Sequence, residues 1–357
     1  TPSRLLPAPL HLAPLLLAMR HFSLREKASL ALGMLRLGRW RESASEPRPT
    51  AAAWLRAIGQ PQRVIDLFWQ PVIESALGES IDLVDLAAAR KVAVDAFLAH
   101  RDAADLIVPT DTLGRLFGDG LVNWLRSRGV VVETAAPVIG LDRGPSGDVT
   151  AIRLAGAVAR CQAVILALPW RAASKLAPDV VPAADERLVG SPITAVHLWF
   201  DRDCIDLPHA VLVGRVSQWA FRPADAPPGY CQVVISASRG LLDGDRDRLR
   251  DAVVAELRAA FPAAAEARLL DARIVTDPTA VLSVRPGVEQ IRPHPRTASA
   301  NLFLAGDWTA TGWPSTMEGA VRSGRAAAIV AATHLGLPAT PLTPDLPQGP
   351  LVRLLLG

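Results

Sequence analysis

Apolar positions change their spacing along the 357-residue chain, and each change predicts a different element. As far as about Asp105 they recur at helical intervals. Ser23-Leu24-Arg25-Glu26 has the S-x-x-E spacing of a capping box and leads into Leu30, Met34, Leu35 and Leu37, which predicts a helix. Thr50 predicts a second capped helix with Trp54, Leu55 and Ile58 on one face. Residues 64–73, VIDLFWQPVI, read either as helix packing in a core or as the wall of a large apolar pocket. From Leu106 the spacing shifts. Residues 116–128 predict a helix stopped by Gly129, and the β-branched run 130–133 predicts a strand. Strands near 138–141 and Val149–Leu154, around a turn at 144–147, predict a β-meander closed by residues 163–170. A long strand is expected over 192–200, with Ile193, Ala195, Leu198 and Phe200 alternating. Strands near 210–213 and 232–236 extend it into an antiparallel sheet, and Arg246–Ala260 carries Leu249, Val253 and Leu257 on one helical face. The fold class is α/β with mixed α+β character.

The most informative pattern is residues 301–328, NLFLAGDWTATGWPSTMEGAVRSGRAAA. Leu302-Phe303-Leu304-Ala305 reads as a buried strand that delivers Gly306 and Asp307 at its carboxyl end. Ser315 and Glu318 repeat the S-x-x-E spacing, which predicts a helix from Thr316. Its small residues (Gly319, Ala320, Ser323, Gly324) allow a backbone or a planar ligand close, and its amino end favours an anion. The unit reads as a nucleotide or flavin site across strand end and helix start, or as an ordinary β-α unit with a well-made cap.

Composition narrows the field. The formal charge is +3, but the arginines are interleaved with acids, as in 243–250, which argues against a nucleic-acid partner. Cys161, Cys204 and Cys231 are odd in number and far apart, so neither a disulfide framework nor a metal site is indicated, and a reducing cytoplasm fits. The apolar stretch 5–19 is broken by Pro7, Pro9 and Pro14; it is too short to span a bilayer and lacks a cleavable signal pattern. Leu15-Leu16-Leu17 beside Arg20 and His21 reads as a buried helix or as a peripheral membrane contact. His197 and His209 are isolated and read as structural. The Pro-rich tail after Leu337 reads as a disordered or membrane-touching end.

The 301–328 stretch resembles the carboxyl-terminal flavin-binding motif of the flavin amine oxidase and phytoene desaturase superfamily, and within it the hydroxysqualene dehydroxylases. The resemblance implies FAD as cofactor and a partial FAD-binding doubly wound domain interleaved with a helical and antiparallel-sheet substrate domain. It divides the chain into 1–105 (helical part of the substrate domain), 106–170 (returning part of the FAD domain), 171–291 (substrate-domain sheet and helix), 292–335 (carboxyl-terminal FAD motif) and a tail, 336–357. It also implies cofactor-binding roles for Val138, Gly306, Asp307, Gly312, Trp313, Pro314, Ser315, Thr316, Met317, Glu318 and Ala320. For Glu318 a capping role and a flavin contact stay open. The implied substrate is a hydrophobic isoprenoid, hydroxysqualene, reduced to squalene; no catalytic residue is named.

Members of that superfamily begin with a strand and G-x-G-x-x-G, and residues 1–357 contain no such motif. The expectation is a fragment whose phosphate-binding segment lies elsewhere or on a partner chain. An isoprenoid desaturase, an amine oxidase and a flavin-free remnant remain alternatives. The amine oxidase fits least, because Thr316 stands where those enzymes carry a cage aromatic and Tyr230 is the chain's single tyrosine.

Overall fold

Ser23 caps the first long helix as its spacing predicts: its hydroxyl accepts from the Glu26 N–H at 3.3 Å, and its own N–H donates to the Glu26 carboxylate at 2.7 Å. The computed structural model describes residues 2–43, 48–105, 107–109, 111–181, 187–223, 225–241 and 244–356. Expectations that fall on Thr1, Leu106 and Asp243 lie outside them. The amino-terminal part is helical: α1 (Ala13–Ala18), α2 (Leu24–Arg39), α3 (Ala51–Ala57), α4 (Gln62–Val64), α5 (Gln70–Leu77) and α6 (Leu86–Ala93), with α4 and α5 joined through a π-helical turn, Ile65–Trp69. Thr50 caps α3 by accepting from Ala53 N–H at 3.3 Å. Both readings of the aromatic patch hold, on opposite faces of one helix. Ile65, Trp69 and Ile73 are buried in the helical core, whereas Leu67, Phe68 and Val72 line a cavity of about 540 Å³.

A π-helical turn, Gly114–Gly120, continues into α7 (Leu121–Arg126), and Gly129 at φ +79° ends the segment as expected. The run 130–133 is not a strand. β-Branched residues favour a strand only where an edge is available to pair, and among the described residues none pairs here; Val131 is left 81% exposed. The meander forms as β1 (Val138–Arg143), β2 (Val149–Leu154) and β3 (Ala157–Arg160). The next strand, β4 (Val164–Ala167), does not close it. β4 instead pairs in parallel with Leu302–Ala305, because Asn301, which bonds the Val149 backbone through its side chain, accepts the Val164 N–H on its carbonyl.

After α8 (Trp170–Leu176) come β5 (Gly190–Phe200), β6 (His209–Val211), β7 (Trp219–Phe221), β8 (Tyr230–Ile235), α9 (Arg246–Ala260), α10 (Pro262–Ala265) and β9 (Leu269–Leu282). The sheet order is β6-β7-β8-β5-β9, antiparallel throughout, with Val253 and Leu257 of α9 packed on it. The alternation expected in β5 mixed two faces. Val196, Leu198 and Phe200 point into the core beneath α9, while Ile193, Ala195, His197 and Trp199 are partly exposed on the other side. The His197 Nδ1 lies 2.7 Å from the Tyr230 hydroxyl, and burial lowers its pKa, with Arg273 acting in the same direction. The long edge strand β9 escaped the sequence reading because Asp271, Arg273, Asp277 and Pro278 interrupt its apolar pattern; the pairing shifts register next to Pro278, which has no N–H to donate. Cys204 and Cys231, far apart in sequence, are buried together with sulfurs 3.7 Å apart and unbonded.

The chain finishes with β10 (Leu302–Ala305), α11 (Met317–His334) and α12 (Pro350–Leu356). The buried residues of α11 are Gly319, Ser323, Ala327 and Ala331, a fourfold row whose lack of bulk brings the helix close to β10. The tail is not a loose end. α12 buries Val352 and Leu356, and Arg39 and Arg41 donate to the Leu355 and Leu356 carbonyls at 2.5 and 2.6 Å. Among the described residues no helix is long and apolar enough to cross a membrane.

Candidate flavin-binding site

Directly after β10 comes Gly306 with φ +143°, where an added Cβ would lie 2.3 Å from Trp308 Nε1, so the position requires glycine. Its N–H donates to Ser323 Oγ at 2.8 Å, which ties strand end to helix, and its carbonyl accepts from Thr309 N–H at 3.0 Å. Asp307 follows, its carboxylate accepting from the Ser315 hydroxyl, whose oxygen in turn accepts from Leu282 N–H at 3.2 Å. Trp308 is fully buried and donates through Nε1 to the Leu168 carbonyl at 2.8 Å, binding the loop to the Ala-Leu-Pro segment after β4.

The helix start differs by one residue from its sequence reading. Thr316, not Ser315, is the N-cap; its hydroxyl accepts from Gly319 N–H at 3.2 Å, and α11 begins at Met317. Ser315 is unavailable as a cap because it is held by Asp307. Glu318 makes no capping bond and instead pairs with Arg322 at 2.7 Å, one turn on. Gly319 packs so tightly beneath the preceding loop that a Cβ would sit 2.5 Å from the Pro314 carbonyl. Met317 and Ala320 are exposed at the amino end of α11, and Gly312 turns the loop at φ +71°. Trp313 lies between the Lys91 ammonium and the Arg322 guanidinium, 4.3 and 4.8 Å from its rings, and its Nε1 donates to Asp345 at 3.2 Å. The structure therefore brings Gly306, Asp307 and 312–320 together. Val138 stands apart on the meander, 42% exposed, and among the described residues no hydrogen bond joins it to this group.

Several residues here carried no signal in the sequence. Arg292 is buried and donates to the Trp313 carbonyl at 2.6 Å and the Asp307 carbonyl at 2.7 Å. A cavity of about 200 Å³ beside the loop is lined by Arg48, Asp85, Lys91, Arg285, Trp313 and Pro314, drawn from four distant segments. Burial pushes the Asp85 carboxyl up, against the Ala87 N–H and Arg48 that favour its ionised form. Nothing in the local spacing of an arginine or lysine tells that it will be folded against residues more than two hundred positions away.

The loop turns a set of backbone donors toward one side, as an anionic ligand requires. Among the described residues the N–H groups of Asp307 and Trp308 find no acceptor, and those of Met317 and Glu318 open the amino end of an 18-residue helix. Residues 1–331 match the family described as flavin containing amine oxidoreductase. The chain belongs to this family. The resemblance carried by residues 301–328 is thereby borne out. Similar relatives include hydroxysqualene dehydroxylases of Sinorhizobium fredii (33% identical, covering 66% of this chain and 55% of the relative) and Rhodopseudomonas palustris (31%, covering 72% and 60%). A 15-cis-phytoene desaturase of Synechococcus elongatus is 26% identical over 78% of this chain and 64% of its own length. The chain thus spans 55–64% of the lengths of these relatives. Among solved structures, the fold is similar to cyclohexylamine oxidase from Brevibacterium oxydans, with TM-score 0.59, 16% identity, and coverage of 88% of this chain and 76% of that one.

Proposed function

We propose that this chain forms the larger part of an FAD-dependent oxidoreductase that removes the hydroxyl group of hydroxysqualene to give squalene. The observation that carries the reading toward a lipid substrate is a pair of adjoining apolar cavities. One, of about 300 Å³, is lined solely by apolar side chains, and it shares Met19, Phe68 and Phe97 with the cavity of about 540 Å³ that reaches the sheet at Trp219. The two relatives named hydroxysqualene dehydroxylase support the finer assignment.

In this reading the allylic C–O bond breaks, the departing hydroxyl takes up one proton and leaves as water, and the carbon receives a hydride. Reduced FAD, when bound, supplies that hydride. The chain's own contribution is to exclude water around the delocalised cation with the apolar walls, and to hold the cofactor. The residues that would hold it are Gly306, Asp307, Gly312, Trp313, Pro314, Ser315, Thr316 and Met317, with Glu318, Ala320 and Val138 at the margins. The amino end of α11 favours the negative charge of a reduced flavin. Residues 106–170 and 292–335 form the flavin unit in this reading, and 1–105 and 171–291 enclose the substrate. This reading needs a phosphate-binding loop that residues 1–357 do not supply, and the greater lengths of the relatives are consistent with it.

The test is to purify the chain alone and with a longer natural extension, record the flavin absorption, and reduce each anaerobically with hydroxysqualene. Squalene formed by the flavin-bearing form is the expected outcome. A desaturated product instead favours the reading from the Synechococcus relative, and no flavin in either form overturns the enzyme reading. An amine oxidase receives little support, since Tyr230 packs against His197 and, at a tilt, against Trp199.

A peripheral membrane contact belongs to the same proposal. Leu5, Leu10 and Leu17 of the amino-terminal segment are 95%, 49% and 63% exposed, and Leu10 also lines its apolar cavity. Flotation with anionic liposomes is expected to carry the chain upward, and Leu17→Glu to weaken this. If wild type stays at the bottom of the gradient, the membrane contact is abandoned.

A further inference from the structure

Arg292 follows the short turn Glu289–Ile291, and its side chain is 1% exposed. Its Nη1 donates to the Glu289 carboxylate at 2.7 Å and the Trp313 carbonyl at 2.6 Å, while Nη2 donates to the Asp307 carbonyl at 2.7 Å. One planar group thus bridges the two ends of the loop that follows β10. The neighbouring Pro293 carbonyl accepts from Ala310 N–H at 2.9 Å, so the segment after Arg292 also pins the loop's middle. The two carbonyls are held by different nitrogens of one rigid plane, which fixes their separation; the three donors of a lysine ammonium diverge from a single rotatable point and fix it less firmly.

We propose that Arg292 is the positioning residue of the flavin loop, and this rests on the reading that a flavin binds there. In a trans peptide the carbonyl and the following N–H point in opposite directions. By fixing the Asp307 carbonyl toward itself, Arg292 turns the Trp308 N–H away, to the side where no described residue accepts from it. Arg292 thereby presents a backbone donor to the ligand without touching the ligand. The half-exposed Glu289 is the single carboxylate bonded to this guanidinium among the described residues, and it fixes the arginine's own orientation.

The experiment uses the full chain as wild type, Arg292→Lys, Arg292→Met and Glu289→Gln. Backbone hydrogen exchange is followed without ligand, and FAD is then titrated by flavin fluorescence. The expected result is faster exchange at Thr309, Ala310 and Trp313, with the β5–β8 sheet protected as in wild type. FAD binding is expected to weaken about tenfold or more in Arg292→Lys and further in Arg292→Met, the equivalent of losing one or more charged hydrogen bonds. Glu289→Gln is expected to give a smaller change in the same direction. Unchanged exchange in residues 306–314 overturns the proposal, as does unchanged FAD affinity in Arg292→Lys. If Arg292→Met does not fold, the lysine variant, which keeps the charge and most of the stem, decides. If wild type binds no FAD, it is the cofactor reading that fails, and the exchange comparison still decides whether Arg292 sets the loop.

Discussion

Replacing Glu79 by alanine is expected to destabilise the protein by about 3 kcal/mol, the lower end of what breaking a buried ion pair costs. Glu79 is fully buried where the end of α5 meets the start of β5 and the segment after β9. Its carboxylate accepts from the Ser283 hydroxyl, from Ser80 N–H at 2.9 Å and from Arg239 at 2.6 Å, and Arg285 stands 3.8 Å away. Arg239 and Arg285 are about one-third exposed, so water can compensate part of the loss, which places the cost at the low end. Burial alone would raise the Glu79 pKa, but the bonds from Ser283, Ser80 and Arg239 outweigh it and hold the carboxyl below its ordinary value. The stability it contributes is therefore complete above the unfolded value of about 4.3 and is lost as pH falls through the lower folded value. Urea unfolding of wild type and Glu79→Ala at neutral and acid pH measures both effects. Equal midpoints at neutral pH would show that the junction does not bear on stability.

Gly306→Ala is expected to cost stability and to disable the candidate site together. A side chain at this φ adds about 1–3 kcal/mol of backbone strain. Its Cβ also falls 2.3 Å from Trp308 Nε1, so the indole must leave its bond to the Leu168 carbonyl and its place in the core shared by β4, β10 and α8. Red-shifted tryptophan emission and a lower melting temperature are the expected readings, with FAD binding lost wherever wild type binds it. Wild-type emission and melting in Gly306→Ala would mean that the turn tolerates a side chain. The two substitutions separate cleanly: Glu79 lies at the joint of the helical and sheet parts, and Gly306 within the loop.

Much of this was legible locally. Ser23, Thr50 and Gly129 mark helix ends through bonds or conformations confined to a few neighbouring residues, and each does so in the structure. The strand, Gly306-Asp307 and the helix that follows were equally plain. Where the reading slipped, a distant partner had intervened. Ser315 has the spacing of a cap, but its hydroxyl goes to Asp307 and Thr316 takes its place. Residues 130–133 have the composition of a strand but no edge to pair with among the described residues. The two faces of β5 were confused because the apolar residues of both look alike until α9 covers one of them. The tail reads as a loose end until Arg39 and Arg41 reach its last carbonyls.

By itself the sequence determined the capped helix starts at Ser23 and Thr50, the strand–loop–helix unit and the family, because these depend on residues within a few positions of one another or on an uninterrupted run. The tertiary structure decided what surrounds that unit: the Arg292 bridge, the Lys91 and Arg322 contacts on Trp313, the buried Glu79 junction and the paired apolar cavities. Each of these is made by side chains from segments far apart in the chain, and their meeting is set by how the helices and sheets pack, which no local spacing encodes.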